Sequence, residues 1–81
     1  MEFGELVTLL AKALVDEQEA VVVVEIKGAR TTILELRVAQ DDVGKIIGKH
    51  GRNVNALRTI LTAAAMKHHI RTHLEVVEPN P

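Results

Sequence analysis

The chain of 81 residues contains no cysteine. That absence excludes disulfides, thiolate nucleophiles and cysteine-ligated zinc. Trp and Tyr are also missing, and Phe3 is the lone phenylalanine. A surface that stacks nucleobases on aromatic rings, as RRM and OB folds do, therefore has nothing to build with. The only prolines are Pro79 and Pro81, so none interrupts the chain before its end. No apolar run approaches the roughly 20 residues a membrane-spanning helix needs. The first apolar run is broken by Glu2, Glu5 and Lys12, unlike the core of a secretory signal. These features lead us to expect a soluble, cytoplasmic domain with no membrane partner. One further absence is local: residues 43–74 contain no acid.

That stretch holds Lys45, Lys49, Arg52, Arg58, Lys67 and Arg71, with His50, His68, His69 and His73. The acids gather in residues 1–42 and 75–81, so a formal net charge of −1 conceals a strongly basic segment. A segment of one sign inside a near-neutral chain suits a polyanion. The length allows one small domain with a modest core. We read residues 1–78 as that domain and 79–81 as a disordered tail.

Hydrophobic periodicity orders the elements. Phe3, Leu6, Leu10 and Leu14 recur at helical spacing, which predicts a helix over about 3–15. Residues 20–27 are a β-branched run and predict a strand. Gly28-Ala29-Arg30 reads as a turn into a second strand over 31–39. There Leu34, Leu36 and Val38 share one face and Glu35 and Arg37 the other. The short link makes the two strands an antiparallel hairpin. Asp41 and Asp42 are placed to cap a short helix over about 42–47, ended by Gly48. A long helix is predicted from Gly51 to His68 or His69, with Val54, Leu57, Leu61, Ala64 and Ala65 as its buried stripe. A last strand follows from Ile70 to Val77, with Ile70, Leu74 and Val76 on one face. The fold class is α+β, in the order α-β-β-α-α-β.

The most informative residues lie between the two predicted helices, in Ile47-Gly48-Lys49-His50-Gly51. Two glycines bracket two basic residues. Glycine lets a backbone approach a ligand closely, because no Cβ intervenes. The following helix aims its free N–H groups and positive dipole end at the loop, an arrangement suited to phosphate. The Ile-Gly-x-x-Gly pattern and the element order together resemble the type II KH (K-homology) domain. The length resembles that of the small bacterial single-KH, KhpA-like RNA-binding proteins. The resemblance covers nearly the whole chain. It implies a three-stranded sheet covered on one face by three helices.

The resemblance also implies a function. A KH loop clamps the sugar-phosphate backbone of single-stranded RNA, and about four unpaired bases lie in an aliphatic groove beside it. The implied RNA-binding residues are Lys45, Ile46, Ile47, Gly48, Lys49, His50, Gly51, Arg52, Asn55 and Arg58. Of the apolar residues straddling the loop, part of the set Ile46, Ile47, Val54 and Leu57 would line the groove. A single module grips weakly, so a second one is implied. It would come from a homodimer or from a larger KhpB/Jag-like KH partner, in RNA metabolism linked to growth and division. On the long helix, Ala56, Ile60 and Ala63 form a second apolar stripe offset from the first, and we read it as the dimerisation surface.

Other chemistries fit poorly. His69 and His73 would share a helix face only if no helix-to-strand change fell between them, and no carboxylate lies close by to complete a metal site. The histidines instead add pH-dependent positive charge. The basic half offers no acid for proton transfer, no Ser/His/Asp constellation has a sensible context, and the Walker A spacing is absent. No catalytic residue, cofactor or metal is expected. The readings that remain are an RNA-binding chaperone or post-transcriptional regulator, a ribosome-associated variant of it, and a KH-fold module that serves only protein interaction or dimerisation.

Overall fold

A computed structural model describes residues 2–79. Its elements are α1 (Phe3–Leu14), β1 (Val22–Lys27), β2 (Thr31–Arg37), α2 (Val43–Ile47), α3 (Arg52–Met66) and β3 (Arg71–Val76), with short 3-10 turns at Gln18–Ala20, Gln40–Asp42 and Lys49–Gly51. The α+β order is as expected. Of the expected tail, Asn80 and Pro81 lie outside the described residues, and Pro79 is half-buried.

The sheet runs β1-β2-β3. β1 and β2 form the antiparallel hairpin, with Val24 opposite Glu35. β2 and β3 are parallel, with Leu34 beside Leu74. A parallel pair needs a long crossover, and α2, the glycine loop and α3 provide it. The crossover leaves β3 with a free edge.

Thr32, Leu34, Leu36 and Leu74 point to one face of the sheet and are buried there. Val7 and Ala11 of α1, Ile46 of α2, and Val54, Leu57 and Leu61 of α3 close over them. Each fully buried aliphatic side chain contributes roughly 1.5–3 kcal/mol. The opposite face is open, and Val22, Val24 and Ile26 of β1 are exposed on it.

Three local expectations are corrected. Phe3, Leu6 and Leu10 of α1 pack half-buried against the core as their spacing implied, but the most deeply buried residues are Val7 and Ala11, and Leu14 is exposed. Ala11 has no bulk, so α1 sits close to its neighbours and turns Leu14 outward, to 37% exposure. Second, α3 stops at Met66. The chain must leave the helix there because Arg71 N–H donates to the Arg30 carbonyl at 2.8 Å, which starts β3. His69 makes the exit in a left-handed conformation, φ 57°. Third, neither Asp41 nor Asp42 caps α2 with its side chain. Asp42 is buried and its carboxylate turns away, accepting the Glu17 N–H at 3.0 Å and the Asp16 N–H at 3.3 Å. Lys45 Nζ completes the group at 3.1 Å from Asp42 and 3.2 Å from Asp16.

This latch ties the end of α1 to the start of α2. The Glu17 amide holds the Asp42 carboxyl below its ordinary 3.8, helped by Lys45 and the Asp16 amide and opposed by burial. The same contacts raise Lys45 above 10.5. A carboxyl whose folded pKa is depressed stabilises the fold above its unfolded pKa and loses that contribution as pH falls through the folded value. A raised lysine contributes below its unfolded pKa and loses the contribution as pH rises through the folded one. The latch is therefore whole between the two. Asp42→Asn is expected to lower the melting midpoint at pH 7 by about 5 °C or more. It should also flatten the acid limb, so that the two proteins converge towards pH 2.5. Thermal melts across that range would refute the assignment if the two curves ran parallel.

Candidate nucleic-acid interface

α2 ends because Gly48 cannot continue it. Its backbone has φ 76° and ψ 169°, outside the range of residues with a Cβ. A Cβ added there would lie 2.6 Å from Asn53 Cγ and 2.8 Å from Asn53 N, so space also demands glycine. Gly48 N–H donates to the Gly44 carbonyl at 2.8 Å, closing α2. Gly51 N–H donates to the Gly48 carbonyl at 3.1 Å, closing the turn. His50 (φ 59°) and Gly51 (φ 77°) are both left-handed. For a residue with a Cβ, such as His50, that conformation costs about 1–2 kcal/mol. The cost is borne in the one segment where two glycines already shape the backbone.

The turn leads directly into α3, whose N-cap is Gly51 and whose first turn has no side-chain cap. The Arg52 N–H is taken by the Lys49 carbonyl, and the rest of the N-terminal turn of α3 follows directly on the loop. Lys49, His50 and Arg52 are all exposed around it. Among the described residues none of the three has an acidic partner within salt-bridge distance. Two cations, an imidazole and a helix N-terminus converge on a backbone that a ligand can approach.

A groove lies between α3 and the free edge of β3, beginning at Arg58. Asn55 and Arg58 are exposed on α3. Arg58 donates from Nη2 to the Leu74 carbonyl at 3.1 Å and from Nε to the same oxygen at 3.4 Å. It thereby caps one polar group of the unpaired edge and leaves its charge in the groove. A depression of about 170 Å³ lies beside it, lined by Arg58, Leu61, Thr62, Thr72, His73 and Leu74. A larger depression, about 440 Å³, lies elsewhere, among Glu2, Phe3, Glu25, Lys27 and His68. It mixes both signs of charge and holds none of the loop cations.

The sequence-expected residues thus divide. Gly48, Lys49, His50, Gly51 and Arg52 form the loop, Asn55 and Arg58 follow along α3, and half-buried Ile47 stands at the loop's entrance. Two others are withdrawn. Ile46 is wholly buried, because the helical step turns it into the core. Lys45 points to Asp42 and Asp16, where its charge is already matched. Val54 and Leu57 are also core, so they support the groove from below. Sequence reasoning missed the free β3 edge and Asn53. The β-α-α-β spacing was a signal for the edge, since a two-helix crossover implies parallel pairing.

The family model for the KH domain of KhpA/KhpB matches residues 4–76, from α1 to the end of β3. The chain belongs to the KhpA/KhpB KH-domain family. Its relatives match from end to end. The RNA-binding protein KhpA of Caldanaerobacter subterraneus is 51% identical over 74 residues, covering 91% of this chain and 99% of the relative. That of Borreliella burgdorferi is 49% identical over 80 residues, covering 95% and 98%. That of Aquifex aeolicus is 50% identical over 74 residues, covering 91% and 94%. No solved structure matches the chain. In this KH domain the Gly48–Gly51 loop and the α3–β3 groove lie wholly inside the matched region.

Proposed function

We propose that this chain binds single-stranded RNA in the cytoplasm through the Gly48–Gly51 loop and the α3–β3 groove, without catalysing a reaction, as an RNA chaperone or post-transcriptional regulator. The observation that carries the reading is the loop. Its glycine conformations bare the backbone where Lys49, His50 and Arg52 meet the start of α3. The relatives' name, RNA-binding protein KhpA, supports RNA as the polyanion. Phosphate contacts supply affinity, and the groove edge supplies a weak base preference.

The test is a titration of short unpaired RNA at increasing salt. With about three to five phosphates neutralised, log affinity falls against log salt with a slope of about −2 to −3.5. A flat salt response would remove the electrostatic basis of the reading.

A second module completes the grip. Ile60 is 44% exposed on α3, next to Leu14 at 37% on α1. Together with Leu10, Ala13, Asn53, Ala56 and Leu57 they line a largely apolar groove of about 200 Å³. Ala63, expected on the same stripe, lines a separate depression with Arg58, Thr59, Thr62 and Met66. We read the α1–α3 groove as the surface that joins two copies, or one copy and a larger KhpB/Jag-like KH protein. Pairing doubles the RNA footprint and raises avidity without new contacts to RNA.

A further inference from the structure

We infer that Asn53 is a positioning residue that holds the glycine loop in its RNA-accepting conformation. The inference rests on the RNA-binding reading above. The last carbonyls of a helix have no partner inside it. At the end of α2 the Gly44 carbonyl is taken by the Gly48 N–H at 2.8 Å. The next carbonyl, of Lys45, accepts a hydrogen bond from Asn53 Nδ2 at 2.8 Å. The donor comes from the first turn of α3, on the far side of the loop. One side chain therefore staples the helix before the loop to the helix after it.

The same side chain fixes Gly48. Asn53 Cγ, N and Cβ all lie within 3 Å of where a Cβ on Gly48 would stand. Gly48 is thus held between its own bond back to Gly44 and the body of Asn53. From Gly48 onward two backbone bonds shape the turn, Gly51 N–H to the Gly48 carbonyl and Arg52 N–H to the Lys49 carbonyl, and neither reaches back to α2. If Asn53 lets go, the loop keeps its charges but loses its fixed entry angle. Affinity then falls in proportion to the fraction of molecules that hold the competent conformation. Asn53 is uncharged, so the number of phosphates neutralised does not change.

Two variants separate bond from bulk. Asn53→Leu keeps a branched Cγ against Gly48 and removes the donor. Asn53→Ala removes both. The expected loss of affinity for a short unpaired RNA is about three- to ten-fold for Asn53→Leu, the scale of one hydrogen bond, and larger for Asn53→Ala. In both the salt slope stays at the wild-type value. The deciding measurement is amide hydrogen exchange on the RNA-free proteins. The Gly48 and Gly51 amides, both hydrogen-bonded in the wild type, should exchange faster while those of β2 keep their protection.

Unchanged affinity would overturn the inference. So would lost affinity with unchanged loop exchange, which would make Asn53 a direct RNA contact. Faster exchange throughout the domain would reduce it to a general stabilising residue and overturn the inference too. The parent reading fails separately, when substituting the loop charges leaves RNA binding intact. The exchange data need no RNA and judge the positioning of the loop in either case.

Discussion

Lys49→Asp combined with His50→Asp is expected to weaken binding of short unpaired RNA about a hundred-fold or more, with no loss of fold. The change reverses the charge of Lys49 and puts a carboxylate in place of the His50 imidazole, at the two exposed residues between the glycines. Phosphate contacts dominate affinity for a polyanion, so replacing attraction by repulsion there removes the main source of binding. The salt slope should flatten as the number of neutralised phosphates falls. The fold has reasons to survive. Aspartate tolerates the left-handed conformation that residue 50 adopts. Two acids beside the N-terminus of α3 also suit the helix dipole, so the melting midpoint should hold or rise slightly. Binding and stability then move in different directions, which a general disruption cannot imitate. Unchanged affinity, with an unchanged circular dichroism spectrum, would transfer the chain to the reading in which the KH fold serves only protein interaction.

Ile60→Lys is expected to turn a dimer into a folded monomer. Light scattering at micromolar concentration should give the mass of two chains for the wild type and of one for the variant. The self-association constant should fall by about a hundred-fold or more, the scale of losing a central apolar anchor and burying a charge in its place. Because Ile60 is already 44% exposed, a lysine there costs the isolated domain little. Binding of RNA long enough to span two copies should weaken, while that of short RNA should change little. A monomeric wild type, or a variant that simply unfolds, would show that the α1–α3 groove is not this interface.

Much of the molecule was legible in the chain before folding. β2 alternates from Leu34 onward, and its Leu34 and Leu36 are fully buried where the alternation put them. Of the stripe expected on α3, Val54, Leu57, Leu61 and Ala65 are buried and Ala64 is half-buried. Gly48 was legible as a helix stop because a residue without Cβ is the ordinary way to leave a helix. The failures have local causes. α1 carries apolar residues around more than half its circumference, so periodicity alone could not choose between Leu14 and Ala11 as the inward residue. At the end of α3 no glycine or proline marks the exit, and His69 takes a conformation its residue type rarely signals. Asp42 sits at a capping position, yet the two amides its carboxylate accepts from are 25 and 26 residues away, beyond any local rule.

By itself the sequence determined the kinds and order of the elements, the basic segment and the place of the glycine loop. These follow from short-range physics: side-chain periodicity, the freedom of glycine and the sum of nearby charges. Only the tertiary structure decided which charges remain available. Lys45 and Lys49 are four residues apart and chemically identical. One is matched by Asp16 and Asp42 across the α1–α2 junction, and the other has no acidic partner among the described residues. Only the tertiary structure gave β3 a free edge, brought Leu14 beside Ile60 and set Asn53 against Gly48. Such pairings join residues whose positions relative to one another are set by the packing of whole elements, and no local pattern along the chain encodes that distance.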